Sequence, residues 1–175
     1  MSELRGEWDL GSPPPWGHVV TLQVQFWVHE QGQPPREQTV ELADADDVRA
    51  FIKTLAGEQV SDALLTHTRR PRVETLIPDE DSPGQFLTTP DHSVIVGVHG
   101  RRGAISYRGA DGHHAEPVHL YSRGEEPDHP VVYETDEFPP RCELPVESVT
   151  RALIEFLETA ARPLSITWQP GVEAT

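Results

Sequence analysis

Three consecutive segments decide the fold: Phe138-Pro139-Pro140-Arg141-Cys142-Glu143-Leu144-Pro145, a helix-periodic run to Ala161, and Arg162-Pro163-Leu164-Ser165-Ile166-Thr167-Trp168. Pro145 has a fixed φ that suits a first helical position. Val149, Ala152, Leu153, Phe156, Leu157 and Ala160 then form an apolar stripe at helical spacing. Arg162-Pro163 stops the helix, because proline cannot continue the hydrogen-bond ladder. Leu164, Ile166 and Trp168 follow with period two, which predicts a strand turning these three side chains inward.

The same reasoning extends upstream. Val20, Leu22, Val24, Phe26 and Val28 alternate with mostly polar neighbours, the pattern of a half-buried strand. Gly32 to Pro35 is a turn, and Thr39 to Leu42 reads as a short second strand. Asp44 is placed to cap a helix, with Asp46 and Asp47 in its first turn, where the helix dipole favours acids. Val48, Phe51, Ile52 and Leu55 supply its buried face, and Gly57 ends it. Ala63–Thr68, Arg72–Ile77, Val118–Tyr121 and Val131–Tyr133 are further strand segments. Val94–Val98 is a continuous apolar run suited to a central strand, with Ala104–Tyr107 returning beside it as a hairpin arm. Strands followed by two separated helices, without βαβ alternation, point to an α+β fold. Its mainly antiparallel sheet has about six to eight strands, and two principal helices pack on one face. One domain is expected over residues 18–170, between an N-terminal tail at 1–17 and a C-terminal tail at 171–175.

Charge and composition narrow the function. Twenty-nine acidic against 14 basic side chains give a formal net charge of −15. That excess repels nucleic acid and anionic membrane surfaces and attracts basic partners. The chain has 17 prolines and 13 glycines, and so many turns, yet its periodic apolar segments are those of a folded domain. No signal segment and no long apolar run appears, so the chain reads as cytoplasmic. Its single cysteine, Cys142, excludes an intramolecular disulfide.

Catalytic motifs are not visible. His113, His114 and His119, with Asp111 and Glu116 nearby, lack the i, i+4 spacing of a helical metal pair and read as a solvated loop. Cys142 stands beside Glu143, which disfavours its thiolate. No nucleophile elbow or phosphate-cradling loop is present. The arginines at 69, 70, 72, 101 and 102 are expected to pair with the chain's own carboxylates. No metal or cofactor is expected.

From Phe138 to Trp168 the chain resembles the C-terminal signature of the first-numbered immunity-protein family of bacterial polymorphic toxin systems. The residues that carry the resemblance are Pro145, Ala152, Glu155-Phe156, Thr159, Arg162-Pro163 and Trp168. The strand Val94–Val98, the arm Gly103–Tyr107 and Tyr133 are also similar. Ala160 and Ala161 stand where the family tends to have glycine. Alanine disfavours a positive φ, so a less sharp helix end is expected here.

The resemblance implies a non-enzymatic cytoplasmic antitoxin that binds the toxin domain of a secreted effector 1:1 and blocks its active site. The implied toxin is nucleic-acid-acting, such as a deaminase, and its basic groove would attract an acidic inhibitor. The signature residues Pro145, Glu155, Phe156, Thr159, Arg162, Pro163 and Trp168 are expected to hold the scaffold. Contacts are expected from acidic loops: Asp79-Glu80-Asp81, Glu125-Glu126 with Asp128, and Asp136-Glu137. Two other classes compete with this reading: a small metal-dependent or acid/base hydrolase, and an acidic regulatory module that mimics DNA.

Overall fold

In the computed structural model the described residues are 20–171, apart from 58, 61, 79–81, 83, 112, 113, 115 and 135. The expected tail at 1–17 lies outside them, as does all of the expected tail at 171–175 except residue 171. The elements run β1 (Leu22–Val28), β2 (Arg36–Leu42), α1 (Ala45–Leu55), β3 (Asp62–His67), β4 (Arg72–Pro78), β5 (Phe86–Pro90) and β6 (His92–His99). They continue through β7 (Arg102–Gly109), β8 (Val118–Ser122), β9 (Val131–Tyr133), β10 (Asp136–Phe138), β11 (Leu144–Pro145), α2 (Val146–Thr159) and β12 (Trp168–Pro170). Eight strands form one sheet in the order β12-β8-β7-β6-β3-β1-β2, with β11 paired to the start of β7. Every pairing is antiparallel. Two ribbons stand apart from it, β4–β5 and β9–β10. This is the expected α+β architecture, and the apolar run at 94–98 lies in a central strand.

Both helices cover one sheet face because period two and period 3.6 direct apolar side chains to the same layer. Leu22, Val24, Leu65, Val94, Val96, Ile105 and Tyr107 point up from the strands. They meet Val48, Phe51 and Leu55 of α1 and Val149, Leu153 and Phe156 of α2. Each large side chain buried there contributes about 1.5–3 kcal/mol. Asp44 caps α1 as expected, its carboxylate accepting the Asp46 and Asp47 amides at 2.8 and 2.9 Å. Among the described residues no helix is long and apolar enough to cross a membrane.

The closing segment departs from expectation in three ways. Pro145 is the N-cap of α2 rather than its first residue, with its own backbone in β11 beside Arg102. The helix ends sharply: Ala160 adopts the left-handed C-cap conformation, φ 59°, despite being alanine. The last strand is only Trp168–Pro170, and Leu164 is 71% exposed instead of inward. The Glu155 carboxylate takes the Leu164 and Ser165 amides at 2.7 and 3.0 Å, tying this segment to the helix and not to a neighbouring strand. Beyond it, the Trp168 indole donates to the Pro163 carbonyl at 2.7 Å, and Arg162 lies over the same ring.

Candidate binding surface on the open sheet face

The alternation that sends one set of side chains to the helices sends the other to the opposite face. Gln25 on β1 is aligned with Leu64 on β3, then Ile95 on β6, Ser106 on β7 and Tyr121 on β8. Among the described residues no helix covers this face. Its β6–β8 half is covered by the β9–β10 ribbon and the chain leading to β11, where Ala104, Tyr133, Phe138 and Cys142 form a second, smaller core. Tyr133 packs edge-on to Phe138, 5.3 Å between ring centres, and donates its hydroxyl to Glu143 at 2.7 Å. No described element covers the β1–β3 half. Trp27, 47% exposed, and Leu64, 36% exposed, stand there among Glu37 and Glu41 of β2.

Acidic side chains gather where the open and covered halves meet. Asp62 begins β3, with Asp136 of β10 and Glu134 of the ribbon turn near enough for their charges to act on it. His29 Nε2 lies 2.8 Å from Glu134 Oε1. One Asp62 carboxyl oxygen is buried with no hydrogen-bond partner among the described residues. Burial, and then the charges of Asp136 and Glu134, push its pKa up to about 7, while His29 pulls the other way. An unsatisfied carboxylate among like charges is an electrostatic deficit that an incoming cation would relieve. The crevice beside Asp136, lined by Ser106, His119 and Tyr121, measures only about 30 Å³. That is room for water and not for a metabolite.

The three expected acidic clusters fare differently. Asp136 and Glu137 stand on β10, a strand instead of the expected loop, half-buried and exposed respectively. Glu125 is exposed on the loop before β9; Glu126 lies 3.2 Å from Arg102, and Asp128 lies 2.8 Å from Arg141. Such exposed pairs are worth under about 1 kcal/mol and yield readily to another cation. Asp79, Glu80 and Asp81 lie outside the described residues. Sequence reasoning missed Asp62, Glu134, Trp27 and Leu64. Trp27 was findable: it is out of phase with the core positions 24, 26 and 28 of the same strand. The two acids carried no signal, because only the tertiary fold brings β3 and the β9–β10 turn together.

Elsewhere, polar groups saturate one another. The His92 imidazole accepts the His67 amide at 2.7 Å through Nε2, and its Nδ1 lies 2.8 Å from Asp91. His67 uses its own ring nitrogens on the Leu157 carbonyl and the Arg69 amide. Both rings pack against Phe156, and burial is the main cause of their lowered pKa values. With both nitrogens engaged, neither histidine is free to exchange a proton with a substrate. Cys142 is buried, its thiol pushed up to about 11 by burial and then by Glu143, so it is no nucleophile at neutral pH. Arg70 pairs with Asp91 within the chain, as expected. Of the expected scaffold residues, Phe156 and Pro163 are buried, and Arg162 donates to Asp111 at 3.1 Å. The Thr159 hydroxyl donates to the Glu155 carbonyl at 2.7 Å and accepts the Ala161 amide at 3.2 Å.

A family profile described as "Immunity protein Imm1" matches residues 36–170. No curated protein matches the chain. A crystal structure of a hypothetical protein from Neisseria gonorrhoeae is similar over 89% of this chain and 99% of its own, with 10% identity and a TM-score of 0.47.

Proposed function

The chain belongs to the Imm1 family of immunity proteins, and from that premise we propose that it neutralises one cognate secreted toxin by binding it 1:1 in the cytoplasm and occluding its active site. The observation that carries the reading is the profile match across residues 36–170, which includes both helices and all but the first strand of the sheet. We propose further that the toxin is a basic, nucleic-acid-acting domain such as a deaminase. A net charge of −15 and the acids around Asp62 support this, because carboxylates can compete with phosphates for a basic groove. In this reading Trp27 and Leu64 supply apolar contact area. Asp136 and Glu137 then supply the charge beside it, Glu125, Glu126 and Asp128 add acidic contacts from their loop, and Asp79-Glu80-Asp81 are kept from the sequence as further contact candidates.

The test is co-expression with the toxin domain encoded beside this gene. Growth should be restored and a 1:1 complex should co-purify. An unprotected culture with no complex would sink the proposal.

A further inference from the structure

Nine large hydrophobic side chains are exposed among the described residues, and five of them stand on the β4–β5 ribbon: Val73, Leu76, Ile77, Phe86 and Leu87. Leu76 is 93% exposed and Ile77 60%. A two-stranded ribbon on its own is marginal in water, and this one turns its apolar side chains to solvent instead of to the core. A concentration of exposed apolar surface on one element marks an interaction site far more often than chance exposure does.

The ribbon's root is nevertheless firmly held. The Asp91 amide donates to the Pro71 carbonyl at 3.1 Å, closing the base between the two strands. Arg70 makes two bonds to the Asp91 carboxylate, at 2.9 and 2.7 Å, with both side chains largely buried. It also donates to the Tyr107 hydroxyl at 2.7 Å, the Ala110 carbonyl at 2.9 Å and the Ala160 carbonyl at 3.3 Å. One guanidinium thereby ties the base of the ribbon to β7 and to the end of α2. Orientation fixed before binding lowers the ordering cost of association.

We propose that β4–β5 is a docking arm for the toxin, a basic protein with an apolar patch; this rests on the immunity reading above. Charge selects that occupant over a second copy of the chain. Two copies at −15 each repel, whereas a basic partner is attracted; on the described part of the ribbon Glu74 is matched by Arg72, so the selection comes from the charge of the whole chain. The arm leaves β3 after His67, at the opposite end of that strand from Asp62. Five residues of strand separate the two by about 17 Å. One interface of ordinary size can span both, with charge at one end and apolar area at the other.

The experiment measures binding of the full chain to a catalytically inactivated form of the neighbouring toxin domain. In Leu76→Ser with Ile77→Ser, the dissociation constant should rise about 10- to 100-fold, chiefly through faster dissociation, with no change in thermal midpoint. If wild type binds and this double variant binds as tightly, the arm proposal is overturned and the immunity reading stands. If wild type does not bind, both fall. If the chain alone sediments as a dimer that the double variant dissolves, the arm serves a second copy and the proposal is overturned. Should the variant lose stability, amide exchange on wild type decides. Protection of residues 73–77 and 86–89 in the complex supports the arm, and unchanged exchange there overturns it.

Discussion

The ring of Tyr133 lies on the backbone of Gly97 so closely that a β-carbon at residue 97 would stand 2.2 Å from the ring's Cγ. This contact seats the β9–β10 ribbon on the open face. Gly97→Ala must displace a fully buried ring, and overpacking of that kind costs about 1–3 kcal/mol. Urea unfolding should show the loss. An unchanged midpoint would mean the ribbon is not seated as described.

Ala160 holds φ 59° at the end of α2. The left-handed conformation costs an alanine about 1–2 kcal/mol, partly offset in glycine by about 0.5–1 kcal/mol of lost chain entropy. Ala160→Gly should therefore stabilise the protein by about 0.5–1 kcal/mol. Thermal and urea midpoints measure it, and a decrease would count against the cap.

Asp62 links stability to pH. Its folded pKa, about 7, lies above the unfolded value of about 4, so between these limits the folded state holds the extra proton. The Asp62 contribution to stability should fall as pH rises through that window, with its loss complete above it. Asp62→Asn should be more stable than wild type at pH 8, the advantage closing toward pH 4. Urea midpoints at both pH values decide, and a pH-independent difference would contradict the burial of this carboxyl.

Arg70→Met removes one partner of a largely buried pair and should cost about 3–5 kcal/mol near neutral pH. Burial of Asp91 opposes ionisation, but hydrogen bonds from Arg70 and His92 prevail and hold its carboxyl below the usual range. The pair's contribution is thus present above the ordinary carboxylate pKa and lost as pH falls through the folded one. The variant's deficit should shrink correspondingly in acid, which denaturation at pH 7 and pH 3 would reveal.

For the partner, charge and apolar contact should separate kinetically. Asp136→Asn with Glu137→Gln should slow association with the neighbouring toxin domain, and the difference should fade as salt rises. Trp27→Ala should act on dissociation instead, by about tenfold or more. Surface plasmon resonance at two ionic strengths checks both. Equal rates across all three proteins would place the interface elsewhere.

Much of the fold was legible because local patterns agree with it. Leu22–Val28 and Val94–Val98 alternate or cluster as their positions require, and Asp44 caps the helix its acids announce. Strands β5 and β10 were not legible. Phe86–Pro90 lacks a core-facing alternation because its apolar residues face solvent, and Asp136–Phe138 is too short to carry a period. The end of α2 was misread because residue preference alone opposes a left-handed alanine, whereas the Glu155 carboxylate and the Arg70 guanidinium secure the turn around it.

By itself the sequence determined the fold class, the face each helix buries and the family, since these rest on periodicity, capping and a local signature. Only the tertiary structure decided that the charge of Asp136 acts on Asp62, that Trp27 stands on a face no described helix covers, and that an apolar ribbon projects from a buried arginine clamp. Such arrangements depend on which distant strands become neighbours, and strand pairing over long separations leaves no mark on the residues it brings together.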